Sequence, residues 1–370
     1  MTGLPPLPRA EDLGDSVLAA LSHMPDATGA EFTTRFEHDL TQVFAQRHAV
    51  AVSSGTTALH AALSAAGVGP DDEVLLPALT VIMTAQPVVQ LGAKPVFVDS
   101  DPDTLDLDYA DAASKFTGRT KAIVPVHLWG RMGAPVSLRA FAAERELAIV
   151  EDAAQAAGTS RAGVPAGSVG AAGCFSTKDG KILWSNEGGF VLSGDPAIAA
   201  HVRAFRGHWL TPPPGSRPQE QLGLPGRMPE LIAALAQANL LRFPVLLERR
   251  RAQTAYLLRA LTGARGLTAL QPATDETWNH YSPLLRIGLP SPRAFAEHLA
   301  QLGVPSSTGS FRLVPCDTRP MFTGGDRAPC RGAAQILDRT LAIVLSERDD
   351  EAVLDRYAAV LTREADAWRA

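Results

Sequence analysis

Short, β-branched apolar runs alternate with longer Ala- and Leu-rich stretches through the first half of the chain, the rhythm of strands and helices in an α/β sheet. The pattern predicts strands at HAVAVSS (48–54), EVLLP (73–77), PVFVD (95–99), KAIVPVHL (121–128) and LAIVED (147–152). Between them it predicts helices at TALHAALSAAG (57–67), closing at Gly67, and at TVIMTAQPVVQLG (80–92). Each strand ends in polar or glycine residues, and ligands collect at the carboxyl ends of strands in open α/β sheets. Past residue 210 the texture changes. The stretch TPPPGSRPQEQLGLPGRMPE (211–230) reads as an irregular loop, and residues 231–261 read as a helix interrupted at Pro244. The remainder offers one short strand, PLLRIGL (283–289), a helix at PRAFAEHLAQLG (292–303), a Pro/Gly-rich loop and a closing helix from about Asp349. No internal repeat is visible.

A length of 370 residues fits one large domain and one smaller one, divided here as 1–245 and 246–370. Hydrophobic residues make up 46% of the chain and charged residues 20%, enough to bury a core and far from a disordered composition. The three cysteines, Cys174, Cys316 and Cys330, have no paired spacing, which argues against a disulfide framework or a zinc site and for a reducing cytoplasm. A net charge of −5 without a basic stripe disfavours nucleic acid. No apolar run is expected to reach the ~18 to 20 residues needed to span a bilayer, and the start carries no secretory pattern.

Three stretches could carry chemistry. In SSGTTALHAAL (53–63), Gly55, Thr56 and Thr57 stand between a strand and a helix, where backbone N–H groups and hydroxyls form an anion site suited to a phosphate. The alternative is a simple Ser or Thr helix cap. In EDAAQAAG (151–158), Asp152 and Gln155 follow a buried strand and face one side of an expected helical turn. A carboxylate there can hold a cationic ring nitrogen, or cap the helix; Glu151 reads as a solvated or capping charge. The third stretch is CFSTKDGKILWSNEGG (174–189), with a strand ending at Ser176, two lysines, Lys178 and Lys181, and a turn from Asn186 to Gly189. A single loop lysine is ordinarily solvated. A lysine that forms a Schiff base, however, works with an electron-sink cofactor, which itself takes a phosphate anchor and an acid for its ring nitrogen. The three stretches in this order describe pyridoxal phosphate.

The chain resembles the DegT/DnrJ/EryC1/StrS aminotransferases of the aspartate-aminotransferase fold type, through residues 36–63, 67–80, 92–99, 120–130, 150–158, 174–189 and 223–240. The resemblance implies fold type I: a large mixed-sheet α/β domain that binds pyridoxal 5′-phosphate, a smaller C-terminal α+β domain, and a homodimer with its active site at the interface. It implies Lys181 as the Schiff-base lysine, with Lys178 on a variable position. By the same resemblance Asp152 pairs with the pyridinium nitrogen, Gln155 lies near the ring hydroxyl, and Gly55, Thr56 and Ser176 contact the phosphate, with Thr57 a weaker candidate. Glu187 shapes the turn or approaches the acceptor hydroxyls. His127, Arg206, His208 and Tyr281 match polar positions near the family's site.

Three positions depart from the family pattern. Val81 stands where an aromatic residue covers the cofactor ring, Pro225 where an asparagine from the neighbouring subunit reaches the phosphate, and Asn186 where a glycine opens the turn. The implied reaction moves an amino group from L-glutamate or L-glutamine to a keto-sugar or keto-cyclitol, in amino-sugar or aminocyclitol biosynthesis of the antibiotic kind. Two alternatives stay open. One is a sugar dehydratase or epimerase on the same cofactor, against which Lys181 argues; the other is a non-catalytic partner or scaffold, suggested by Val81 and Pro225.

Overall fold

The computed structural model describes residues 3–7, 11–22, 31–308, 313–322 and 328–369. Two helices, α1 (Glu11–Ser22) and α2 (Glu31–Val43), precede an alternating run: β1 (His48–Val52), α3 (Gly55–Ala65), β2 (Glu73–Pro77), α4 (Ile82–Gln90), β3 (Lys94–Val98), α5 (Tyr109–Lys115), β4 (Thr120–Ile123), α6 (Pro135–Glu144) and β5 (Ala148–Asp152). The short strands β6 (Ser160–Arg161) and β7 (Val164–Pro165) lead to β8 (Ala172–Ser176), β9 (Gly189–Ser193), α7 (Pro196–Phe205) and α8 (Glu230–Ala260). The C-terminal part holds β10 (Leu267–Ala269), β11 (Glu276–Thr277), β12 (Leu284–Ile287), α9 (Pro292–Gln301), β13 (Ser306–Thr308), α10 (Arg331–Arg339), β14 (Thr340–Ile343) and α11 (Glu351–Ala367).

The main sheet has seven strands in the order β1-β9-β8-β5-β4-β2-β3. From β8 to β3 neighbouring strands run parallel, whereas β9 is antiparallel to both β1 and β8. This is the expected mixed α/β sheet. Parallel strands are covered on both faces, which is why β2, EVLLP, is buried at every position. One face carries α3, α4 and α7, with Leu59, Leu63, Val88 and Val202 in its core. The other carries α2, α6 and α8, with Phe36, Leu40, Phe141 and Phe243.

The expected strand over 121–128 stops at Ile123 because Pro125 has no N–H for the ladder. Residues 128–130 then form a tight turn with Trp129 at φ 58°. The helical turn expected after β5 is also absent: residues 153–159 form successive turns held by Ala156 N–H to Ala153 O and Thr159 N–H to Ala156 O.

Helix α8 runs unbroken through Pro244, contrary to the expected interruption. Helix α2 holds it before the proline, where Gln237 Nε2 donates to Asp39 Oδ2 at 3.0 Å, and α11 after it, where the Tyr256 hydroxyl donates to Asp355 Oδ1 at 3.0 Å; Pro244 itself is exposed. The division expected at 245/246 falls inside this helix. By length and composition α8 is also apolar enough to cross a membrane, which corrects the expectation that no such run exists; half of that apolar window is buried within the protein.

The C-terminal part contains more strand than the pattern predicts. Strands β10, β12, β14 and β13 form an antiparallel sheet whose core includes Leu285, Ile287, Phe295, Leu341 and Leu354.

Candidate active site

Helix α3 begins directly after β1, and Ser54 caps it: its backbone is extended (φ −166°), and its Oγ accepts the Thr57 N–H at 3.0 Å. Gly55 and Thr56 form the first turn and line a solvent-open cavity of about 870 Å³ at the carboxyl ends of the strands. Thr57 stands back from it. Its hydroxyl lies 3.0 Å from Ser53 Oγ and 2.9 Å from Ser54 Oγ, so it belongs to the cap rather than to the lining. A Cβ at Gly55 would come within 2.8 Å of Ser176 Cβ, so only glycine lets the start of α3 approach the end of β8 this closely.

Asp152 closes β5 and lines the same cavity, 5% exposed. Its Oδ2 accepts from Thr84 Oγ1 at 2.7 Å, and the Thr84 hydroxyl is itself 2.8 Å from that of Thr80. Asp152 Oδ1 accepts the Ala154 N–H at 3.2 Å. Asp152 is therefore not a helix cap, since no helix follows it. Gln155 lines the cavity while its Oε1 accepts the Trp129 N–H at 2.6 Å, leaving the amide nitrogen as a donor.

Glu151 corrects the reading of a solvated or capping charge. Side chains alternate across a strand, so Glu151 turns to the face opposite Asp152. It is fully buried and accepts the N–H groups of Gly167, Val169 and Gly170 at 2.8, 2.6 and 3.2 Å, with His127 Nε2 at 3.0 Å. His127 lines the cavity and anchors this strand end, its backbone N–H donating to Asp152 O at 3.0 Å. Cys174, opposite Asp152 in the ladder, has its thiol pushed up by burial and by the neighbouring Asp152 and Glu151 carboxylates, which keeps it neutral and unreactive.

The end of β8 brings Ser176, and the loop after it Lys178, Asp179, Lys181 and Glu187, to the same cavity. Lys178 is exposed, whereas Lys181 is half-buried with its Nζ 5.1 Å from the ring centroid of Tyr281. Ser176 Oγ accepts the Lys178 N–H at 3.3 Å. Asn186 has φ 71°, which explains its place: the turn needs a left-handed residue, and asparagine is among the few alternatives to glycine that adopt it readily. Val81 lines the cavity beside Met83. Pro225 is exposed and outside the lining, pairing with Gly207, while Gly226 O accepts the Ser53 N–H at 2.8 Å. Arg206 is bound to Glu37 at 2.6 Å, and His208 is exposed; neither lines the cavity.

The residues present suit pyridoxal phosphate. A helix N-terminus with Gly55, Thr56 and the Ser176 hydroxyl offers donors to a phosphate, a shielded carboxylate offers a partner to a ring nitrogen, and a half-buried primary amine borders the same space. Fold and site together define a fold type I pyridoxal-phosphate enzyme. The model of the DegT/DnrJ/EryC1/StrS aminotransferase family matches residues 11–359, and the chain belongs to that family, whose aminotransferases depend on pyridoxal phosphate. It is 40% identical over 198 residues to the GDP-perosamine synthase of Caulobacter vibrioides, an alignment covering 54% of this chain and 53% of that protein. It is 31% identical to the UDP-N-acetyl-3-dehydro-alpha-D-glucosamine 3-aminotransferase of Acidithiobacillus ferrooxidans, covering 85% and 84% of the two chains. The crystal structure of DesV from S. venezuelae superposes with a TM-score of 0.87 at 28% identity over the whole of both chains.

Proposed function

We propose that this enzyme transfers an amino group from L-glutamate or L-glutamine to the ketone of a sugar or cyclitol, in amino-sugar or aminocyclitol biosynthesis. What carries the reading is the convergence of Lys181, Asp152 and the Gly55–Thr56 helix start, drawn from three distant stretches, on one cavity. The names of the perosamine synthase and the 3-aminotransferase support a sugar acceptor.

Bound in this cavity, pyridoxal phosphate supplies the electron sink that lets a proton leave the donor α-carbon. Gly55, Thr56 and Ser176 hold the phosphate. The Asp152 carboxylate keeps a proton on the ring nitrogen, and Thr84, bonded to Oδ2, fixes its plane. Gln155 directs its amide N–H to the ring hydroxyl. Lys181 Nζ holds the cofactor between turnovers, then takes the proton from the donor α-carbon and in the reverse half delivers one to the acceptor carbon. Val81 and Met83 form an apolar side of the cavity, while Asp179 and Glu187 at its edge accept hydroxyls of a polyol acceptor.

The three cysteines are free and buried, in keeping with a reducing compartment such as the cytoplasm. A homodimer is part of this reading, supported by the exposed Leu210 and Leu222, 54% and 93% accessible, in the stretch that leads to Gly226. Light scattering on the purified chain checks it: twice the chain mass is expected, and a monomer at working concentration would contradict it.

The test of function is a visible spectrum with pyridoxal phosphate. An absorption band missing in Lys181→Ala and bleached by L-glutamate or L-glutamine is expected. A donor that leaves the band unchanged would sink the aminotransferase reading. Incubation with keto-sugar and keto-cyclitol acceptors, read by mass spectrometry for the amine, then assigns the acceptor.

A further inference from the structure

Lys181 borders two voids. One is the cavity above; the other is an open groove on the outer side of residues 179–184, lined also by Arg250, Glu347, Arg348 and Asp349. A lysine stem is flexible enough to serve either. A proton carrier has to stay within reach of the reacting carbon after it is released, because small misplacements of a catalytic group cost large factors in rate. Something must therefore keep the freed ammonium on the cavity side.

Tyr281 stands in that place. It is 9% exposed, lines the cavity, and presents its ring to Lys181 Nζ at 5.1 Å from the centroid. The ring is held by its own backbone: the Tyr281 N–H donates to Asn279 Oδ1 at 2.8 Å, and its carbonyl accepts from Arg250 Nη1 at 2.8 Å. Arg250 Nη2 in turn donates to Leu345 O at 2.8 Å, beyond β14. Asn279 is fully buried, and its Nδ2 donates to the carbonyls of Gln155 and Ala157 at 2.8 and 2.9 Å. One side chain thus sets the backbone of Gln155 on one side and the Tyr281 ring on the other. A Cβ on Gly130 would fall 1.9 Å from Asn279 Oδ1, so the turn below is shaped around it.

We propose that Tyr281 is a positioning residue for Lys181: its ring face retains the released ammonium inside the cavity rather than in the outer groove. The negative face of an aromatic ring attracts a lysine ammonium, more strongly where water is displaced. The proposal rests on Lys181 being the reacting amine.

Two measurements test it on Tyr281→Phe, which keeps the ring face, and Tyr281→Leu, which removes it; Tyr281→Met serves if the leucine variant does not fold. In the cofactor-free chain, brief acetic anhydride labelling and peptide mass spectrometry compare Lys181 with Lys178. The Leu variant is expected to raise the Lys181-to-Lys178 labelling ratio by roughly threefold or more, with Phe unchanged from wild type. In the loaded enzyme, single-turnover bleaching by L-glutamate or L-glutamine should slow by roughly threefold to thirtyfold in Leu and recover in Phe, with little change in the donor concentration at half-saturation. A Leu variant like wild type in both readouts, or a Phe variant that matches Leu, would overturn the role of the ring face. A wild-type chain with no Lys181-dependent band would instead overturn the aminotransferase reading and this proposal with it.

Discussion

Asp152 is held by a neighbour that no linear motif marks. The Thr84 hydroxyl donates to Oδ2 from the first turn of α4, 68 residues away in sequence. Thr84→Val keeps the volume and removes the bond, and is expected to weaken cofactor binding about tenfold, the equivalent of one hydrogen bond to a charged group. A fluorescence titration with pyridoxal phosphate measures it, and unchanged affinity would show that Asp152 needs no such support. Asn186 makes the opposite kind of case, in which backbone conformation decides. At φ 71° it tolerates glycine, so Asn186→Gly should leave the thermal midpoint nearly unchanged, whereas Asn186→Val should cost about 1–2 kcal/mol. Equal losses in both variants would mean that the asparagine side chain, and not its left-handed backbone, is what the turn uses.

Helix α8 shows how far packing overrides local preference. Pro244 removes one intrahelical N–H and stands on the exposed side of the helix, so Pro244→Ala restores the bond without opening a cavity. A gain on the order of 1 kcal/mol is expected in denaturant unfolding; a loss would show that the proline ring itself supports α8 at this position. The main sheet was legible because its parallel strands, buried on both faces, read as continuous apolar runs such as EVLLP. Three strands of the C-terminal sheet were not. Strand β13 is Ser-Ser-Thr, β10 has three residues, and β14 is a four-residue apolar run, too short for its period to separate strand from helix. The site divides in the same way. Lys181, Asp152, Gln155 and the Gly55–Thr56 turn lie in local stretches whose order carries the resemblance. Thr84, Asn279 and the buried His127–Glu151 pair act through contacts between distant segments, and Glu151 was misread because its neighbour Asp152 faces the other way.

For the molecule as a whole, three histidines among the described residues, His60 buried and His201 and His280 half-buried, contribute to the response to acid. Burial, with Arg251 and Arg131 nearby, pushes the His280 imidazole down to about 4, and burial also lowers His60 and His201. An unfolded histidine takes its proton near 6.5. The unfolded chain therefore binds protons first, so the stability from the neutral rings is complete above pH 6.5 and is lost as pH falls toward 4. The thermal midpoint should fall between pH 7 and pH 4.5, and His280→Asn, which also accepts that residue's positive φ, should flatten the slope. A slope unaltered in that variant would remove His280 from the account.

The central claim, that Lys181 is the amine that binds the cofactor and carries the proton, has a direct test in reductive trapping. The chain is loaded with pyridoxal phosphate, reduced with borohydride, digested, and its labelled peptide sequenced by mass spectrometry. The account predicts a pyridoxyl group on Lys181 and none on Lys178; a label on Lys178, or on neither lysine at saturating cofactor, would contradict it.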